Sequence, residues 1–121
     1  MENCIFCKIL KGEVPSTKVY ENEKFLAFLD IYPLSPGHTQ VIPKEHYRWV
    51  WDVPNAGEFF EVAKKIALAQ KKAFKADMVR SQIYGEDVSH AHIWVWPEII
   101  GDTKNFTENA KKIIDAISQA P

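Results

Sequence analysis

One stretch of the chain alternates strictly: His90-Ala91-His92-Ile93-Trp94-Val95-Trp96-Pro97. Successive side chains leave opposite faces of a strand, so Ala91, Ile93 and Val95 are predicted to enter a core while His90, His92, Trp94 and Trp96 share the other face. Imidazoles two positions apart on a strand sit roughly 7 Å from each other, too far to act on one atom and near enough to serve one site. The rest of the pattern is ordered around this stretch. Cys4 to Leu10 reads as a short helix, stopped by Gly12 and Pro15. Thr17–Glu21 and Lys24–Leu29 are two strands of a hairpin turning at Glu21-Asn22-Glu23. Asp30 to Gly37 is a loop with two prolines, and His38 to Pro43 a third strand. Pro54-Asn55 opens a long helix to about Phe74, with Phe59, Ala63, Ile66 and Ala73 along its apolar stripe. Lys64, Lys65, Lys71, Lys72 and Lys75 lie mostly outside that stripe and read as a solvated face. Asp77 to Tyr84 is a fourth strand and His90 to Pro97 the fifth. Asn105 and Glu108 form a capping pair before a C-terminal helix whose apolar side carries Phe106, Ala110, Ile113, Ile114 and Ile117. The expected fold class is α+β, an antiparallel sheet of about five strands with one long helix, a short N-terminal helix and a C-terminal helix.

Composition narrows the function classes. A chain of 121 residues is read as one domain, residues 1–121, able to bury a core without staples. A formal charge of −1 argues against a nucleic-acid polymer or a membrane surface as partner. No apolar run is long enough to span a bilayer, and the first residues lack the basic start and apolar body of a signal peptide, so a cytoplasmic protein is expected. In a reducing compartment the Cys4-x-x-Cys7 pair points to metal or redox chemistry more than to a disulfide. It equally suits two cysteines buried as small apolar residues.

Zinc in a closed site takes four soft ligands in a tetrahedron, and Cys4 and Cys7 can supply two across one helical turn. The others would come from His38, His46, His90 and His92, the four histidines of the chain, and spacing alone does not choose between them. Trp49, Trp51 and Trp96 are expected to pack as aromatics, Trp49 and Trp51 beneath the long helix, or to form a dimer interface. Trp94 is open between stacking on a base and closing a pocket.

Three segments, Cys4-Ile5-Phe6-Cys7-Lys8-Ile9, Phe28-Leu29-Asp30-Ile31 and Pro36-Gly37-His38-Thr39-Gln40-Val41-Ile42-Pro43-Lys44-x-His46, resemble the N-terminal half of a histidine triad (HIT) superfamily protein. His90-Ala91-His92-Ile93-Trp94-Val95 falls where that family carries its alternating histidines, so the resemblance spans roughly residues 3 to 97. It implies a nucleotide-binding α+β domain that pairs into homodimers and cleaves purine nucleotide conjugates at the α-phosphorus, such as nucleoside phosphoramidates or dinucleoside polyphosphates. By that resemblance His92 is the nucleophile that forms a nucleotidyl-histidine, and His38 and Trp94 line the catalytic pocket. Asp30 and Ile31 would hold the nucleoside, and Val88 and Ser89 would offer phosphate donors. A structural zinc would rest on Cys4, Cys7, His46 and His90.

The chain also departs from the family's pattern. Trp94 stands at the third triad position, where indole can donate a hydrogen bond but cannot accept or shuttle a proton. Glu86 and Asp87 stand where many members place phosphate-contacting residues, and a carboxylate there repels an anion unless it faces away. A zinc-stabilised nucleotide-binding module with little or no catalysis is therefore the alternative reading. A C-x-x-C redox protein is a remote third, since no thioredoxin-like βαβ unit surrounds the pair.

Overall fold

The computed structural model describes residues 3–119. Helix α1 (Ile5–Leu10) leads into strands β1 (Lys18–Glu21), β2 (Phe25–Leu29) and β3 (Thr39–Pro43). A single 3-10 turn, Val50–Asp52, precedes helix α2 (Ala56–Phe74); β4 (Val79–Gln82), β5 (Ile93–Pro97) and helix α3 (Phe106–Ser118) complete the chain. The five strands form one antiparallel sheet in the order β1-β2-β3-β5-β4.

Local chemistry explains the connections. In the β1–β2 hairpin, Asn22 Oδ1 accepts from the N–H groups of Lys24 and Phe25 at 2.9 and 2.8 Å, tying the turn to its own side chain. The Asn105 side chain accepts from Glu108 N–H at 3.2 Å while its amide donates to the Glu108 carboxylate, so the expected capping pair starts α3. Helix α2 ends on Lys75 in the left-handed region, φ 52°, where glycine is the easier residue.

The two faces of the sheet have different tasks. Phe25, Ala27, Leu29, Val41, Ile93 and Val95 join Phe59, Ala63, Ile66 and Ile113 of α2 and α3 in the main core. Leu26, Phe28 and Ile42 face the other way and pack with Cys4, Phe6 and Ile9 in a second, smaller core beneath α1. Gln70 of α2 is fully buried, and its amide donates to the carbonyls of Gly37 at 3.0 Å and Val95 at 2.9 Å. This bond pair pins α2 to the loop before β3 and to β5.

Two expectations need correction. The fifth strand begins at Ile93, not His90, because the polar groups of residues 90–92 are committed elsewhere: Ala91 N–H donates to the Tyr47 carbonyl at 2.7 Å, and both imidazoles bond to carbonyls. Ala91, Ile93 and Val95 still enter the main core, yet His90 and His92 are wholly buried by α1 rather than set on an open face. Trp49 and Trp51 do not pack beneath α2. The Trp49 ring closes on Gly85, where a Cβ would overlap it, with the Arg48 guanidinium 3.8 Å above its centroid; Trp51 is 72 % exposed.

Candidate active site and metal centre

Helix α1 exposes its first turn to the histidines. Cys4 caps it, Sγ accepting from Cys7 N–H at 3.3 Å, so both sulfurs emerge one turn apart on one side. His46 arrives just after β3 and His90 just before β5. His90 Nε2–H donates to the Pro43 carbonyl at 2.9 Å, which leaves Nδ1 as the lone-pair nitrogen. That nitrogen lies 3.3 Å from Cys4 Sγ and 3.5 Å from Cys7 Sγ, and His46 Nδ1 lies 3.2 Å from Cys7 Sγ. All four ligand atoms fall within 4.8 Å of one another. Tetrahedral Zn–S and Zn–N bonds require ligand–ligand spacings of about 3.3–3.8 Å, so the cluster fits a zinc ion with little adjustment. Burial, helped by the neighbouring Cys4, pushes the Cys7 thiol up to about 11. Burial pulls His90 down to about 4, against the Pro43 carbonyl bond, and keeps it neutral and ready to ligate.

His92 is anchored beside this cluster. Its Nδ1–H donates to the His90 carbonyl at 2.7 Å, which turns Nε2 outward. The Phe6 ring packs edge-on to both His90 and His92, with centroids 5.8 and 5.3 Å away, so α1 links the metal cluster to the second histidine. Nε2 meets Asp87 Oδ1 at 3.0 Å. Asp87 lines a cavity of about 390 Å³, with Asp30, Ile31, Gln40, Val88 and Trp94 also on its wall together with apolar residues of α1 and β2.

The expected pocket residues are thus divided. Asp30, Ile31, Val88 and Trp94 line the cavity; His92 meets it through Asp87, and Ser89 is exposed and not on the wall. His38 lies behind the wall. Its Nδ1 accepts from Leu34 N–H at 3.0 Å, its Nε2 is 3.7 Å from Asp30 Oδ2, and its ring is 5.1 Å from that of Trp94. Burial lowers its pKa below the usual histidine value, outweighing the pull of Asp30. Sequence reasoning passed over Gln40, whose amide donates to Asp30 Oδ2 at 2.8 Å while Oε1 is buried without a partner. Its place two positions after His38 on the same strand face was the available signal. Asp87, marked in the sequence as an obstacle to phosphate, faces the site. Among the described residues, no lysine or arginine lines the cavity. A larger groove of about 870 Å³, between α2, α3 and β1, contains none of these residues.

Comparison with known proteins matches residues 11–99 to the HIT domain. The chain belongs to the HIT family. Relatives of this HIT domain include the protein "hit" of Bacillus subtilis, 42% identical over 103 residues, covering 79% of this chain and 71% of the relative. An adenosine 5′-monophosphoramidase of Saccharomyces cerevisiae is 40% identical over 100 residues, covering 78% of this chain and 62% of the yeast protein. Among solved structures, a Zn-bound histidine triad family protein from Mycobacterium smegmatis superposes with a TM-score of 0.86 at 32% identity, covering 98% of this chain and 95% of that one. The five-stranded antiparallel sheet with three helices is the fold shared with these neighbours.

Proposed function

We propose that this HIT domain is a nucleotide hydrolase or nucleotidyl transferase that cleaves purine nucleotide conjugates at the α-phosphorus. Nucleoside phosphoramidates and dinucleoside polyphosphates are the substrate classes, and His92 is the nucleophile. The observation that carries the reading is the His92 tautomer: with Nδ1–H held by the His90 carbonyl, Nε2 is the nitrogen left to attack. Names of yeast relatives as adenosine 5′-monophosphoramidases support the same class. Asp30, braced by Tyr32 N–H at 2.8 Å and by Gln40, is placed to accept from ribose hydroxyls. Ile31, 64 % exposed at the cavity edge, would cover the base, and the backbone N–H of Val88 on the cavity wall would meet the phosphate.

Cys4, Cys7, His46 and His90 would hold a structural zinc, which supplies rigidity and a link between α1 and the catalytic segment. Trp94 forms part of the pocket wall, and His38 braces it from behind. The reading includes a homodimer and a cytoplasmic setting in which Cys4 and Cys7 stay reduced. No helix among the described residues is long and apolar enough to cross a membrane.

A second reading, a zinc-stabilised nucleotide-binding module, draws on the cover that Asp87 places over Nε2 in a cavity lined by no lysine or arginine among the described residues. AMP release from adenosine 5′-phosphoramidate separates the two. Turnover by the wild-type protein that disappears in His92→Asn is the expected result. Inertness of both proteins with retained AMP binding would put the binding module first.

A further inference from the structure

His92 sets its two nitrogens against two oxygens, Nδ1–H donating to the His90 carbonyl and Nε2 facing the Asp87 carboxyl group. A contact of 3.0 Å between an imidazole nitrogen and a carboxyl oxygen is within hydrogen-bond reach, close enough for a proton to pass between them. Among the described residues, Asp87 is the one side chain hydrogen-bonded to that ring. It lines the cavity and its side chain is 42% exposed, so it can turn from Nε2 toward a bound substrate without breaking a packed core. Trp94, where a third histidine would stand in the family, carries a buried Nε1–H with no partner, and indole has no lone pair with which to pass a proton on. A reaction that expels an amine or an alkoxide needs such a group.

We infer that Asp87 is a catalytic residue, the proton carrier that serves the leaving group in place of the absent third histidine. This rests on the reading of His92 as nucleophile. The cycle starts with the proton of this contact on Asp87 Oδ1 and the Nε2 lone pair free to attack phosphorus. The Nε2–P bond forms and the bond from phosphorus to the leaving nitrogen or oxygen breaks with its electron pair. Asp87 delivers its proton to that atom and becomes a carboxylate. In the second half, water attacks phosphorus, Asp87 accepts one of its protons, and the Nε2–P electron pair returns to nitrogen. Asp87 again holds a proton and Nε2 its lone pair, as at the start. The sum is one water consumed, one amine or alcohol and one nucleoside monophosphate released.

The test is single-turnover release of the first product from two adenosine 5′-conjugates by wild type, Asp87→Asn and His92→Asn. One conjugate is an alkylamine phosphoramidate, whose leaving nitrogen must be protonated. The other is a 4-nitrophenyl phosphodiester, whose leaving phenolate needs no proton. Asp87→Asn is expected to lose about a hundredfold or more on the phosphoramidate and to stay within about threefold of wild type on the nitrophenyl ester, which also shows that the variant is folded. Equal losses on both substrates would reduce Asp87 to a positioning residue. No loss, or a gain, on the phosphoramidate would make it a cover over Nε2, and either result overturns the proposal. Undiminished release by His92→Asn on both substrates would instead remove the nucleophile reading itself, a failure distinguishable from that of Asp87 alone.

Discussion

Removing one sulfur from the metal cluster tests how far the N-terminal third depends on it. Helix α1 has only six residues, too short to persist by its own hydrogen bonds. Three attachments hold it: burial of Phe6, burial of Ile9, and the cluster formed by Cys4 and Cys7 with His46 and His90. Each apolar side chain contributes about 1.5–3 kcal/mol. A zinc ion present at about a thousand times its dissociation constant adds about 4 kcal/mol to the folded state. Cys7→Ser removes that increment, and for a domain of this size 4 kcal/mol corresponds to a melting temperature lower by about 12–16 °C. The assay is calorimetry on wild type and Cys7→Ser, each with and without a strong chelator, beside metal analysis of the purified proteins. Wild type should carry about one zinc per chain and fall toward the variant on chelation, while the variant should not respond. Acid should act in the same direction. Cys7, raised to about 11, must release its proton to ligate, so apparent affinity falls about tenfold per pH unit below that value for this thiol alone. A metal-free wild type with the full melting temperature, or a Cys7→Ser protein that melts with it, would refute the reasoning.

Three further outcomes follow from the packing. Gln70→Leu deletes the amide that serves the Gly37 and Val95 carbonyls and should cost about 2–3 kcal/mol in urea unfolding; a loss below about 0.5 kcal/mol would mean those carbonyls find other partners. Lys75→Gly relieves a left-handed L-residue at the end of α2 and should raise stability by about 0.5–1 kcal/mol, checked by the same titration. His38 should weaken the zinc-loaded fold in acid. Its folded pKa is depressed, chiefly by burial, below the unfolded value near 6.5. The unfolded chain therefore binds the proton first as pH falls, and the stability present above about 6.5 is lost down to the folded pKa. Protonation at Nδ1 would also break the bond from Leu34 N–H. The slope of the urea midpoint between about pH 7 and pH 5 should be shallower in His38→Asn, and equal slopes would exclude His38 as its source.

Features carried by short-range patterns were legible in the sequence, and those made by long-range contacts were not. Alternation from Ala91 to Val95 and the spacing of Phe59, Ala63 and Ile66 place these side chains in the core, because a buried face imposes its period on the residues that form it. The same alternation misjudged where β5 starts, since His90 and His92 spend their nitrogens on the Pro43 and His90 carbonyls, and a periodicity argument sees only which way a side chain points. Spacing left the histidine partners of Cys4 and Cys7 open, and only resemblance singled out His46 and His90, which the fold then brings together. Asp87 shows the limit most plainly. In the linear chain, an acid in the phosphate loop and a tryptophan in the triad are two separate departures, each weakening the case for catalysis. In space, the acid contacts the imidazole whose missing neighbour the tryptophan replaced. If Asp87 carries the proton, the two departures are one exchange of roles, and a family motif scored position by position would count as a double loss what the geometry allows to be a substitution.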